Sequence, residues 1–204
     1  MWYVMQVFTG DEDNTITLIH DIVDPAIYGR CFYPVRKMLR KLRGQMQRIE
    51  ERMIPGYIFI VTDDVERLFG ALKRVPKFTK LLGNPEEIII PLNEKEIEWM
   101  ESLGLGSDER TRNGKSEIAL TRVRVAEDRT VTILSGPLEN VQGRILKYDL
   151  HKRKAEIAVN FMGRDTVLHL GIEIVGTDTP ADNSILSGMG TGKGKENPVG
   201  SDEL

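Results

Sequence analysis

A chain of 204 residues allows one large domain or two small ones, and 40% hydrophobic residues supply a core of ordinary size. The formal net charge of −3 argues against a general nucleic-acid coat, and the single cysteine, Cys31, rules out an internal disulfide and argues against a cysteine-based zinc site. No run approaches the roughly 18 apolar residues of a membrane helix, and the opening Met1–Met5 lacks the basic start and long apolar stretch of a signal peptide, so a cytoplasmic protein is expected.

In chain order, Trp2 to Phe8 is aromatic and β-branched and reads as a strand. A helix over about Glu12 to Val23 follows, capped by Thr9 or Asp11, with Ile16, Ile19 and Val23 at helical spacing, and Asp24-Pro25 ends it. Residues 32–36 and 54–61 are strand-like, with a bend at Pro55-Gly56. Between them, Arg36 to Arg52 carries seven Arg or Lys against Glu50 and Glu51. With Gly44 near its middle it reads as a protruding basic hairpin; a short helix through Met38, Leu39, Leu42, Met46 and Ile49 is the alternative. Asp64 to Lys73 reads as a capped helix, Ile88 to Ile90 as a short strand, and Asn93 with Glu96 as the capping box of a helix reaching about Leu103.

Residues 104–117 are polar and aperiodic and mark the best domain boundary, a flexible linker. Beyond it, five short β runs fall at 122–125, 131–134, 144–146, 155–161 and 166–168, with turn signals between them. The expected fold class is α+β: an α/β sandwich over 1–103, its antiparallel sheet flanked by helices, then a small SH3-like five-stranded β-barrel over 118–176. Residues 177–204, rich in Gly, Ser, Asp and Asn, are expected to be disordered.

Two stretches carry a family resemblance. Trp2-Tyr3-Val4-Met5-Gln6-Val7 with Thr9-Gly10, followed by Pro55-Gly56-Tyr57-Ile58-Phe59-Ile60, resembles the N-terminal (NGN) domain of the NusG family. Ser135-Gly136-Pro137 through Arg144-Ile145, continuing to Asn160-Phe161-Met162-Gly163-Arg164, resembles a KOW domain. Leu138 stands where housekeeping members usually have Phe, and Leu146 to Ala155, with its His-Lys-Arg run, resembles specialised paralogues of the LoaP type.

The resemblance implies a non-enzymatic transcription elongation or processive antitermination factor whose NGN domain binds the clamp helices of RNA polymerase through an apolar patch. Candidates for that patch are Tyr3, Met5, Tyr57, Phe59 and Phe78, against the simpler reading that each is core. It also places Arg36, Lys37, Arg40, Lys41, Arg43 and Arg48 near upstream or non-template DNA, where the alternative is a solvated face. Arg144, Lys147, His151, Lys152, Arg153, Lys154 and Arg164 form a second basic group suited to nascent RNA, a hairpin included. The competing reading is a housekeeping factor whose KOW domain recruits a termination factor or ribosomal protein; a translation-linked KOW protein is a third. A monomer is expected, without cofactor or metal: His20, His151 and His169 show no ligand spacing, and no catalytic constellation stands out.

Overall fold

A computed structural model of the protein describes residues 1–76, 89–107, 111–112 and 114–177. The first half builds a mixed sheet around β1 (Trp2–Gln6), β2 (Arg30–Leu42), β3 (Gln45–Arg52) and β4 (Tyr57–Val61), with β5 (Ile89–Pro91) on one edge. The strand order is β5-β1-β4-β2, continuing into β7 (Lys115–Ile118) and β6 (Thr111–Arg112), while β3 pairs with the far end of β2. Helices α1 (Glu12–Ile22), α2 (Val65–Leu72) and α3 (Glu94–Ser102) complete it.

Each helix start has a local cause. At α2 the Asp64 carboxylate accepts the Arg67 N–H at 3.0 Å. At α3 Asn93 and Glu96 exchange both bonds of a capping box, at 3.0 and 2.9 Å. The α1 cap differs from expectation: Asp11 holds the cap position without a side-chain capping bond. The neighbouring Glu12, wholly buried, accepts the Gly10 and Gly56 N–H groups at 2.8 Å each and pairs with Arg52 at 2.9 Å. That carboxylate ties the start of α1 to the Pro55-Gly56 bend.

The basic segment is a hairpin and not a helix. Leu42 pairs with Gln45, so the loop has two residues, Arg43 and Gly44, both at positive φ (50° and 86°). A two-residue loop of that hand matches strand twist, and glycine carries half of it without strain.

Sheet pleating separates two cores. Met5, Ile58 and Ile60 face α1 and α2 and pack with Ile16, Ile19, Leu68 and Leu72. Val4, Phe32 and Phe59 face the other way, toward Trp99, Met100 and Leu103 around α3.

The second half is a curled five-stranded sheet in the order β10-β11-β12-β8-β9, formed by β8 (Thr121–Val125), β9 (Val131–Ser135), β10 (Ile145–Asp149), β11 (Lys154–Phe161) and β12 (Arg164–Thr177). All pairings are antiparallel except β12 with β8. Leu138, from the 3-10 segment Pro137–Arg144, plugs this barrel and is fully buried.

Two features differ from the sequence reading. The stretch taken as a linker contains β7, which pairs parallel to β2 from Tyr33↔Lys115 to Arg36↔Ile118. Ser116 and Ile118 are buried, and the Ser116 hydroxyl accepts the Gly106 N–H at 3.1 Å. Composition hid this strand because Lys115 and Glu117 alternate outward between the two buried residues. Nor is the barrel free: β12 runs against β2, and the two halves share one continuous core. A Cβ on Gly171 would collide with the Lys37 carbonyl oxygen, so only glycine lets these strands approach so closely. The expected tail, apart from Thr177, lies outside the described residues.

Removing the Glu12 carboxylate orphans the buried Gly56 N–H, takes the acceptor from the Gly10 N–H and loosens Arg52. Glu12→Ala is expected to destabilise the fold by about 3 kcal/mol, read in urea as a lower midpoint at unchanged m.

Candidate functional site

The α3 side of the first sheet presents a concentration of aromatic rings. Tyr57 and Phe59 alternate with Ile58 and Ile60 along β4, so both rings point away from α1 and α2. Phe32 stacks on Phe59 with centroids 5.7 Å apart, and Trp99 joins them from α3. Into this group the barrel inserts Phe161, the last residue of β11. Its ring lies 6.0 Å from Tyr57 edge-on, 6.2 Å from Phe59 and 6.4 Å from Trp99 edge-on. These separations lie within the range for favourable aromatic pairs.

Polar contacts also cross between the two halves, beside the plug and farther along β12. The Met162 N–H donates to Glu96 Oε1 at 2.6 Å, and Asn140 Nδ2 donates to the Ser102 carbonyl at 2.8 Å. Arg36 Nη1 donates to the His169 carbonyl at 2.8 Å, and Arg48 pairs with Glu173 at 2.7 Å. On the aromatic face itself, Trp99 Nε1 is buried with no hydrogen-bond partner among the described residues. A buried unpaired donor costs about 1–3 kcal/mol, so the covered face retains an unmet bonding capacity.

The five apolar candidates do not form one patch. Cross-strand partners share a face, and the register pairs Tyr3 with Ile60 and Met5 with Ile58, on the α1–α2 side, opposite Tyr57 and Phe59. Met5 is 1% exposed inside that core. Phe78 lies outside the described residues. Trp99 and Phe161 went unselected in the sequence. The capping box fixes the phase of α3, and Glu96 and Trp99, three apart, both turn inward; Phe161, by contrast, gives no signal until the two halves meet.

The hairpin cations are extensively paired. Arg36 and Arg40 share Glu51, Lys37 bridges Glu50 and Glu117, and Arg48 takes Glu173. Hydrogen bonds to Glu50 and then Glu117 raise the Lys37 pKa, and the bond from Lys37 lowers that of Glu50. Among the described residues, Lys41 and Arg43 have no carboxylate within salt-bridge distance.

On the barrel, Lys147, Lys154 and His169 surround Glu156. Burial pushes this carboxyl up, but bonds from Lys147 and Lys154 outweigh it and hold the group below the usual range. Lys152 lies 4.0 Å from Asp149, and Arg153 takes positive φ at the β10–β11 turn. Arg144, His151 and Arg164 have no carboxylate partner among the described residues. The two basic groups, far apart in sequence, face each other across a cleft of about 470 Å³, with Arg36, Arg40 and Lys41 on one wall and His151, Lys152 and Lys154 on the other.

A family model described as transcription termination factor NusG matches residues 1–101. The transcription termination/antitermination protein NusG of Pasteurella multocida is 23% identical over 175 residues, covering 83% of this chain and 90% of that protein. The protein of the same name from Escherichia coli O6:H1 is 21% identical over 173 residues, covering 83% and 91%. A solved structure concerned with domain interaction in Thermotoga maritima NusG aligns over 83% of this chain and 92% of that one, at 21% identity and a TM-score of 0.47.

Trp99 reports on the aromatic face directly. In a Trp2→Phe background, Phe161→Asp is expected to shift Trp99 emission to the red as water reaches the ring, with far-UV circular dichroism unchanged. Emission that stays at its parental wavelength would mean the ring is held by α3 alone.

Proposed function

The chain belongs to the NusG family of transcription termination and antitermination factors, and on that premise we propose that Tyr57, Phe59 and Trp99 form its RNA-polymerase-docking face, held closed by Phe161 until polymerase displaces the barrel. The observation that carries this reading is the buried aromatic face itself. Trp, Tyr and Phe clustered in one pocket with a polar rim is the composition of an interface hot spot. The unpaired Trp99 indole N–H supports a second partner for the same face, since the barrel leaves that donor unmet. A helical hairpin of polymerase would lay its tip across the face as a helix enters a groove.

Once displaced, the barrel stays covalently joined to the polymerase-bound half, so a modest affinity for its own partner suffices. The basic turn with His151, Lys152 and Arg153 supports nascent RNA as that partner and a specialised antitermination role, with Arg144 and Arg164 as further cations that have no carboxylate partner among the described residues. A protein partner is the second reading, favoured by Leu134 on β9 and Leu146 on β10, 39% and 57% exposed on strands that end the curled sheet.

If the closed form dominates, apparent polymerase affinity is reduced by the fraction of open chains. Phe161→Asp is therefore expected to raise affinity for purified core polymerase about tenfold or more. Tyr57→Ala added to that variant is expected to lower it again without changing the melting temperature. Equal retention of parent and Phe161→Asp on immobilised polymerase would remove the masked-face reading.

A further inference from the structure

The geometry points to a nucleic-acid site that neither half possesses alone: the cleft between the β2–β3 hairpin and the barrel binds a single phosphodiester strand, and so favours the closed chain over polymerase docking. The inference rests on the closed arrangement proposed above.

The cleft's charge is unbalanced. Among the described residues, Glu51 is the only acidic one lining it, and it is shared by Arg36 and Arg40. Lys41 has no carboxylate within salt-bridge distance among the described residues, and Lys152 reaches Asp149 only at 4.0 Å. Behind Lys154, one carboxylate, Glu156, already serves Lys147 and His169 as well. Arg36 Nε, buried behind the wall, lacks a hydrogen-bond partner among the described residues. Like-signed groups on facing walls focus the field between them and attract a polyanion.

Shape selects the strand. A volume of about 470 Å³ suits a nucleotide or two in single file and is far too small for a duplex. Met38, Leu39 and Met46 supply apolar surface on the hairpin wall, beside its cations. Cations flanking an apolar strip suit a chain that alternates phosphates with sugar and base faces.

The walls belong to different sheets, so undocking the barrel separates Lys41 from Lys152. A ligand that needs both walls binds the closed chain better, and by linkage it opposes any partner that binds the open chain by the same factor. Nucleic acid in this cleft would keep the aromatic face covered.

The test is fluorescence anisotropy of the full chain with labelled ten-residue oligouridylate and oligodeoxythymidylate, at salt from 50 to 200 mM. One oligonucleotide per chain is expected, the two arms reporting whether RNA or DNA is preferred. Lys41→Gln and Lys152→Gln, both at the surface, should each weaken binding about fivefold and flatten the log–log salt slope by about 0.7. Opening the chain by Phe161→Asp should weaken binding more than either. Gly171→Ala, which pushes β12 off β2, gives the same result by another route if Phe161→Asp fails to fold. Two oligonucleotides per chain, undiminished binding in the opened variants, or equal competition by polyglutamate would each overturn the site. Opened variants that gain polymerase affinity yet keep their oligonucleotide affinity would sink the cleft alone and leave the masked face standing.

Discussion

An aromatic plug fixes how the two halves of this molecule meet, beside the packing of β12 against β2. Phe161 sits at the end of a barrel strand, yet its ring lies among Tyr57, Phe59 and Trp99 of the first sheet. Full burial of such a side chain is worth about 1.5–3 kcal/mol, and each well-placed ring pair adds roughly 0.5–1.5 kcal/mol. The surrounding polar contacts contribute about 1 kcal/mol each and fix orientation more than strength. The packing of β12 against β2 adds to this closed state, and a partner that binds the same face must outweigh the whole junction; shifting a two-state equilibrium from 1:99 to 99:1 needs about 5.5 kcal/mol of differential affinity.

Much of the secondary structure is legible in the residues themselves because its causes are local. The Asn93–Glu96 box, the Asp64 cap and the two-residue loop at Arg43-Gly44 each involve groups within a few positions of one another. Strand β7 is harder to read: four residues alternating Lys, Ser, Glu and Ile look like linker until β2 is seen beside them. The buried Glu12 is harder still, since its partners Arg52 and Gly56 lie across the fold.

The candidate surfaces divide along the same line. Period-2 alternation correctly groups Tyr57 with Phe59, but whether Tyr3 and Met5 share their face depends on strand register, which the sequence does not expose. Counting charges along 36–52 suggests a bare cationic hairpin. The fold instead brings Glu12, Asp13, Glu117 and Glu173 to that hairpin from elsewhere, leaving Lys41 and Arg43 as the cations without a carboxylate among the described residues. Packing also turns two separate basic segments into the walls of one cleft. Local composition identifies the residue types, and tertiary contacts decide which of them remain free to act.

The central claim is that the barrel covers the aromatic face in the free chain and leaves it when polymerase binds. Spin labels at Glu98→Cys and Arg164→Cys, exposed positions on α3 and beside the β11–β12 turn, read this directly by pulsed dipolar spectroscopy. Burial raises the Cys31 thiol pKa and keeps that residue from competing for label. A single narrow, short distance in the free chain that lengthens on adding core polymerase is the expected result. A broad distribution already present in the free chain, unchanged by polymerase, would contradict it.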